Sequence, residues 1–192
     1  MRIFLPTLLI CLVTSIAVFA QEKPAAPSPA NPFSAFNKDA YSHIKGIILH
    51  SAEKMPEENY SFKPTDTVRN YGQILGHIAD AQYIFCAKVL DEKNPGKKIE
   101  ETTTSKAGLI AALKESFAYC DKAYDGMTDA SGAQTTMLMG SDTSKLDVLT
   151  VNLLHTMEHY GNLVTYMRMK NIVPPTSEPG FMPQSNQPPP KK

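Results

Sequence analysis

Four stretches between residues 33 and 172 repeat apolar side chains every three or four positions, the period of a helix with one buried face. The first covers about Phe33 to Lys54, with Phe36, Ala40, Ile44, Ile47, Ile48 and Ser51 tracing one side. Met55-Pro56 ends it, because the residue before proline is pushed away from helical angles. Asn70, with Gln73 three positions later, is a capping-box pattern that starts the second helix. That helix runs to about Leu90 with Ile74, His77, Ile78, Ala81, Ile84 and Phe85 inward, and stops before Asn94-Pro95-Gly96. A crossing segment, about residues 91 to 104, ends in threonines that can cap the third helix. The third spans roughly Ser105 to Met127 with a stripe of Leu109, Leu113, Phe117, Cys120 and Tyr124. Residues 128 to 143 read as loop. The fourth helix extends from about Ser144 to Lys170, with Val148, Asn152, His155, His159, Leu163 and Tyr166 on one side, and Asn171 can end it in the left-handed conformation. No segment alternates as a strand would. The expectation is an all-α fold, a four-helix bundle.

The ends of the chain read differently. Met1-Arg2, an apolar run from Leu8 to Phe19 and the small Ala20 before Gln21-Glu22-Lys23 read as a secretory signal, with cleavage expected after Ala20. The run is too short for a membrane span. An exported protein, periplasmic or extracellular, is expected, with no membrane attachment after cleavage. Residues 21 to 32 and 173 to 192 are rich in proline and small polar residues, and are expected to be a flexible linker and tail around a single domain at 33 to 172.

The mature 172 residues (192 minus 20) carry 18 basic against 19 acidic side chains, Arg2 being lost with the leader. That balance gives no electrostatic case for nucleic acid or for an anionic membrane. Two mature cysteines, Cys86 and Cys120, either pair or pack as small apolar thiols. Each lies about fifteen residues into its helix, so a bridge between them would require helices two and three to run parallel.

The candidate chemistry lies in three histidines. His155 and His159 are four apart, one helical turn, and point from the same face of helix four; His77 stands on helix two. Three neutral nitrogen donors leave coordination positions open, as in a catalytic divalent site. Zinc or nickel suits such donors, with iron or manganese as alternatives. Asp80, three residues after His77, and Asn152, three before His155, are candidates to orient an imidazole by a hydrogen bond, or else face water. Tyr83 and Tyr166 are pocket or core, His43 and His50 are exposed, and Met157, Met167 and Met169 are packing. His155-Thr156-Met157-Glu158-His159 also spells the H-x-x-E-H of inverted zinc proteases, in which Glu158 would be the general base. Those enzymes need a further acidic ligand well downstream, and only 33 residues follow His159, so Glu158 reads as a solvated flank or an outer partner of the site.

MPEENYSFKPTDTVRNYGQILGHIADAQYIF, followed much later by LLHTMEHYGNLVTYMRMKNIVPP, resembles the DinB-like family of four-helix bundles, regarded as divalent-metal enzymes. The resemblance covers about residues 33 to 175, and its most specific parts are Gly76-His77-Ile78-Ala79 and the His155/His159 pair. It implies that His77, His155 and His159 bind the metal, and that helices one and four run one way and two and three the other, up-down-down-up with a crossover between helices two and three. Members often carry His-Arg-Gly-Gln where this chain has His159-Tyr160-Gly161-Asn162, so anion recognition by that arginine does not carry over. Some relatives transfer low-molecular-weight thiols. The expected function is metal-assisted transfer or hydrolysis of a small molecule; a non-catalytic metal-binding or interaction protein, and a bundle that has lost its metal, are the alternatives. A homodimer is one assembly such a bundle allows.

Overall fold

The computed structural model describes residues 30–181; the expected leader, most of the linker and the last residues of the tail lie outside them. Four long helices carry the fold: α1 (Pro32–Lys54), α2 (Tyr71–Val89), α4 (Lys106–Asp125) and α6 (Lys145–Met169). A one-turn helix α3 (Ile99–Thr102) lies in the crossover, and α5 (Asp129–Gly132) with strands β1 (Thr135–Leu138) and β2 (Ser141–Ser144) precedes α6.

Helix ends follow their local chemistry. Asn70 and Gln73 form the reciprocal capping box, and Ser144 with Asp147 forms another at the start of α6. Ser105 rather than a threonine caps α4. Asn171 takes the expected left-handed angles, φ 59°. The stretch 128–143, expected as loop, instead holds α5 and an antiparallel hairpin, whose two-residue turn places both Met139 (φ 50°) and Gly140 (φ 83°) in the left-handed region. That turn twists with the strands and so closes a tight hairpin.

Contacts between helices give the chain direction. Tyr41 Oη donates to the Phe117 carbonyl at 2.9 Å and Lys114 pairs with Glu53 at 2.9 Å, so α1 and α4 are antiparallel. Thr150 Oγ1 donates to Asn37 near the starts of α6 and α1, and Tyr83 faces Tyr119 far along α2 and α4. The topology is up-down-down-up. Cys86 and Cys120 are disulfide-bonded with Cα atoms 5.3 Å apart, within the reach of that bond, and α2 and α4 run parallel as the bridge requires.

Tyr71, Leu75, Ile78, Leu109, Leu113, Phe117, Tyr124, Leu149 and Leu163 fill the core. Phe36, expected inward, is 70% exposed: it lies roughly 100° around the helix from the buried face set by Asn37, Tyr41, Ile44 and Ile48. Met157 and Met169 are likewise half-exposed, whereas Met167 packs. Residues 173–181, expected within a flexible tail, fold back on α1: Glu178 pairs with Lys54, and Phe181 packs on the exposed His43.

Candidate metal centre

α2 is buried nearly all round, against α4 on one side and α6 on another; its outward positions are Gln73, His77, Asp80, Ile84 and Lys88. His77 therefore stands on the outer stripe and not among the core residues Ile74 and Ala81, and Ile84, expected inward, is 46% exposed. The site follows from this placement. It lies on the flank of the bundle between α2 and α6, where solvent reaches it, instead of at the bundle axis.

The three imidazoles converge. His155 Nε2 lies 3.1 Å from His77 Nε2 and 3.1 Å from His159 Nε2, and the three residues can each offer one nitrogen to a common ion. His155 Nε2 has either one proton or one lone pair, so it cannot satisfy both neighbours by hydrogen bonding. A single cation placed among them can take a lone pair from each. Nitrogens each bound at about 2.0–2.1 Å to a first-row ion stand roughly 2.9–3.4 Å apart for tetrahedral to octahedral angles, and both separations at His155 Nε2 fall in that range.

Electrostatics keep His155 and His159 neutral. His159 is pushed down to about 4, first by burial and then by the charges His155 and His77 would carry and by Arg69. Burial likewise lowers His155, with His77 adding to the effect and Glu158 opposing it. Both imidazoles thus present lone pairs at neutral pH, the form a metal needs.

The outer contacts differ for each ring. His77 Nδ1 lies 3.0 Å from Glu100 Oε2, and Arg69 Nε donates to Glu100 Oε1 at 2.6 Å. Partial burial works against the Glu100 charge, but the hydrogen bonds and charges of Arg69 and His77 outweigh it and hold the carboxyl below its ordinary range. The Asn162 amide sits 3.5 Å from His159 Nδ1; a half-turn of that amide presents its oxygen to an Nδ1 proton. His155 Nδ1 is buried and has no partner among the described residues.

Of the residues singled out in the sequence, the histidines meet and the others do not join them directly. Asp80 accepts from the backbone N–H groups of Ile99 (2.9 Å) and Glu100 (3.0 Å). Asn152 points into the core, donating to Gln82 Oε1 at 2.9 Å beside the disulfide, and touches no imidazole. The reason is angular: three residues before His155 it is turned inward by some 60°. Glu158 is exposed, a flank as its rotation implies. Tyr83 is buried against Tyr119, and Tyr166 donates to the Arg69 carbonyl at 2.8 Å. Glu100 and Arg69 were not marked by any spacing, because they reach the site from the crossover and from the segment before α2.

A groove of about 640 Å³ runs beside the site, lined by Gln73, Asp80 and Ile84 of the outer stripe and by Asn94, Lys97 and Glu100 of the crossover. None of the three histidines lines it.

Comparison with known proteins agrees with the geometry. The chain is 28% identical over 128 residues to the uncharacterized protein YjoA of Bacillus subtilis (strain 168), covering 65% of this chain and 82% of the relative. Its fold matches the crystal structure of a DinB-like protein from Bacillus cereus ATCC 10987 with a TM-score of 0.65 at 14% identity, over 72% of this chain and 93% of that one. The crystal structure of the DinB-like YjoA of Bacillus subtilis matches with a TM-score of 0.61 at 18% identity, over 78% and 99%. The DinB superfamily profile matches residues 46–163, more than half the chain, from the middle of α1 to beyond the His155/His159 pair. With this match and the shared helical fold, the chain belongs to the DinB superfamily.

Proposed function

We propose that the protein is an exported, divalent-metal-dependent enzyme acting on a small molecule by transfer or hydrolysis, with His77, His155 and His159 as ligands to zinc or nickel. The observation that carries this reading is the convergence of three imidazoles on a solvent-reachable flank, with His155 Nε2 3.1 Å from Nε2 of both His77 and His159. A bound divalent ion supplies Lewis acidity there. The chain provides three imidazole donors, so remaining positions are left to water or substrate. Arg69, whose charge reaches both His155 and His159, places a cation near any anionic group that enters.

A second reading, a metal-binding or interaction protein without turnover, draws on one observation: the groove beside the site excludes all three histidines.

Elemental analysis of protein purified without added metal tests the site. One equivalent of a first-row ion is expected in the wild type. His155→Ala should lower affinity by at least about a hundredfold, beyond the range of about 10–100 typical of losing an outer partner. Equal metal content in the two would overturn the assignment. Turnover of candidate esters or thiol adducts by the loaded wild type, absent in His155→Ala, then separates enzyme from binder. Export is supported by the leader-like start and the buried disulfide, since such bonds persist in oxidising compartments. The mass of protein from the native host should correspond to a chain starting at Gln21, and an intact Met1 start would contradict it.

A further inference from the structure

The crossover between α2 and α4 does more than connect them. Its single helical turn α3 is pressed onto α2 at Gly76, where an added Cβ would fall 2.7 Å from Glu100 Cα and 2.9 Å from Glu100 N. No side chain larger than hydrogen fits there without moving the α3 backbone. One turn further along α2, the Asp80 carboxylate accepts both the Ile99 and Glu100 N–H groups, clamping the same two residues. Lys98, at φ 54°, supplies the left-handed step that turns the chain into α3. Gly76 and Asp80 bracket His77 in sequence, and what they hold is Glu100, whose carboxylate bridges Arg69 Nε and His77 Nδ1.

We propose that Glu100 is the positioning residue of the metal centre: held by Gly76 and Asp80, it accepts the Nδ1 proton of His77 and thereby keeps the Nε2 lone pair turned toward His155 and His159. The inference rests on the metal reading above and adds a residue that acts through His77. Glu100 is not itself a ligand in this arrangement. Its carboxylate stands on the Nδ1 side of the ring, and the convergence point is on the Nε2 side.

The chemistry favours a carboxylate at this place. An imidazole has one N–H when neutral, and the better acceptor decides which nitrogen keeps it. An ionised Glu100 is a stronger acceptor than water, so the proton stays on Nδ1 and Nε2 becomes the donor atom; the negative charge also raises the basicity of that nitrogen. Arg69 completes the chain by holding the carboxylate in its ionised form and fixing its orientation. His77 and Glu100 are 23 residues apart and are brought together by the close seat of α3 on Gly76 and by the Asp80 clamp.

Two readouts test this. In metal-free protein labelled with nitrogen-15 on histidine, imidazole spectra should show His77 as the Nδ1–H tautomer. In Glu100→Ala the His77 signals should shift toward a mixture of tautomers, and Glu100→Gln, whose amide oxygen can still accept the proton, should restore Nδ1–H. Zinc affinity, measured against a chelating dye, should fall about 10–100-fold in Glu100→Ala and less in Glu100→Gln. Gly76→Ala, which displaces the α3 backbone without touching either side chain, should change the tautomer and the affinity in the same direction. Thermal unfolding of each metal-free variant identifies any that fails to fold, and the tautomer is then read from Glu100→Gln and Arg69→Gln. A His77 tautomer and zinc affinity unchanged in Glu100→Ala would overturn the proposal. Absence of zinc binding in the wild type would instead overturn the metal reading, and the tautomer result would still decide whether Glu100 orients His77.

Discussion

Replacing Cys86 and Cys120 together by alanine is expected to lower the unfolding free energy by about 3–4 kcal/mol, the loop-closure value for a bridge between residues 34 apart. For a domain whose total stability is of the order of 5–15 kcal/mol, that is a large fraction. The bond joins two parallel helices near their C-terminal ends, and both cysteines are fully buried. A reductant reaches it only when the bundle opens, so folded wild-type protein should keep the bridge in reductant until denaturant unfolds it. Refolded under reducing conditions, it should then match the double variant. Denaturant titration under both conditions gives the comparison, with peptide mapping under non-reducing conditions to locate the bridge. Identical midpoints for wild type and double variant in oxidising buffer would contradict the assigned role.

Acid is expected to have an effect of similar size on the metal-free protein. His159 titrates near 4 in the folded chain and near 6.5 when unfolded. Between those values the unfolded chain binds a proton that the folded chain does not, so stability rises with pH across the window and is lost as pH falls from about 6.5 to about 4. Two and a half pH units correspond to about 3 kcal/mol. His159→Gln has no such proton to take up, and its stability should be flatter over the same interval. An equally steep loss in that variant would assign the dependence to other groups. With an ion bound, protons compete directly for the nitrogens, so metal release should fall in the same interval.

The long helices were legible because their apolar periodicity and their caps coincide: the Asn70/Gln73 box and Asn171 appear where the pattern places them. The histidine trio was legible for the same reason, since helical spacing alone puts His155 and His159 on one face. The orientation of His77 was not. α2 is apolar on nearly every side, so periodicity cannot distinguish its core stripe from its outer one, and Ile84 reads as core although it faces out. Asp80 was identified as a neighbour of His77, but its true partners are two amide groups in the crossover, a contact with no periodic signature. Glu100 was invisible for that reason as well. The Met139-Gly140 hairpin went unread because methionine does not announce a left-handed turn position as asparagine does.

α2 carries both a covalent link to α4, through the disulfide, and a proposed coordinate link to α6, through the ion. α1 has neither link, and is held by buried side chains, the Tyr41 and Ser34 hydrogen bonds, the Lys45–Asp121 and Glu53–Lys114 ion pairs with α4 and the returning segment at Glu178. With the ion in place, α2, α4 and α6 would be cross-linked into one unit, with α1 packed alongside it, antiparallel to α4. Opening of α1 would break neither cross-link, so the proposed centre between α2 and α6 can stay assembled while α1 moves.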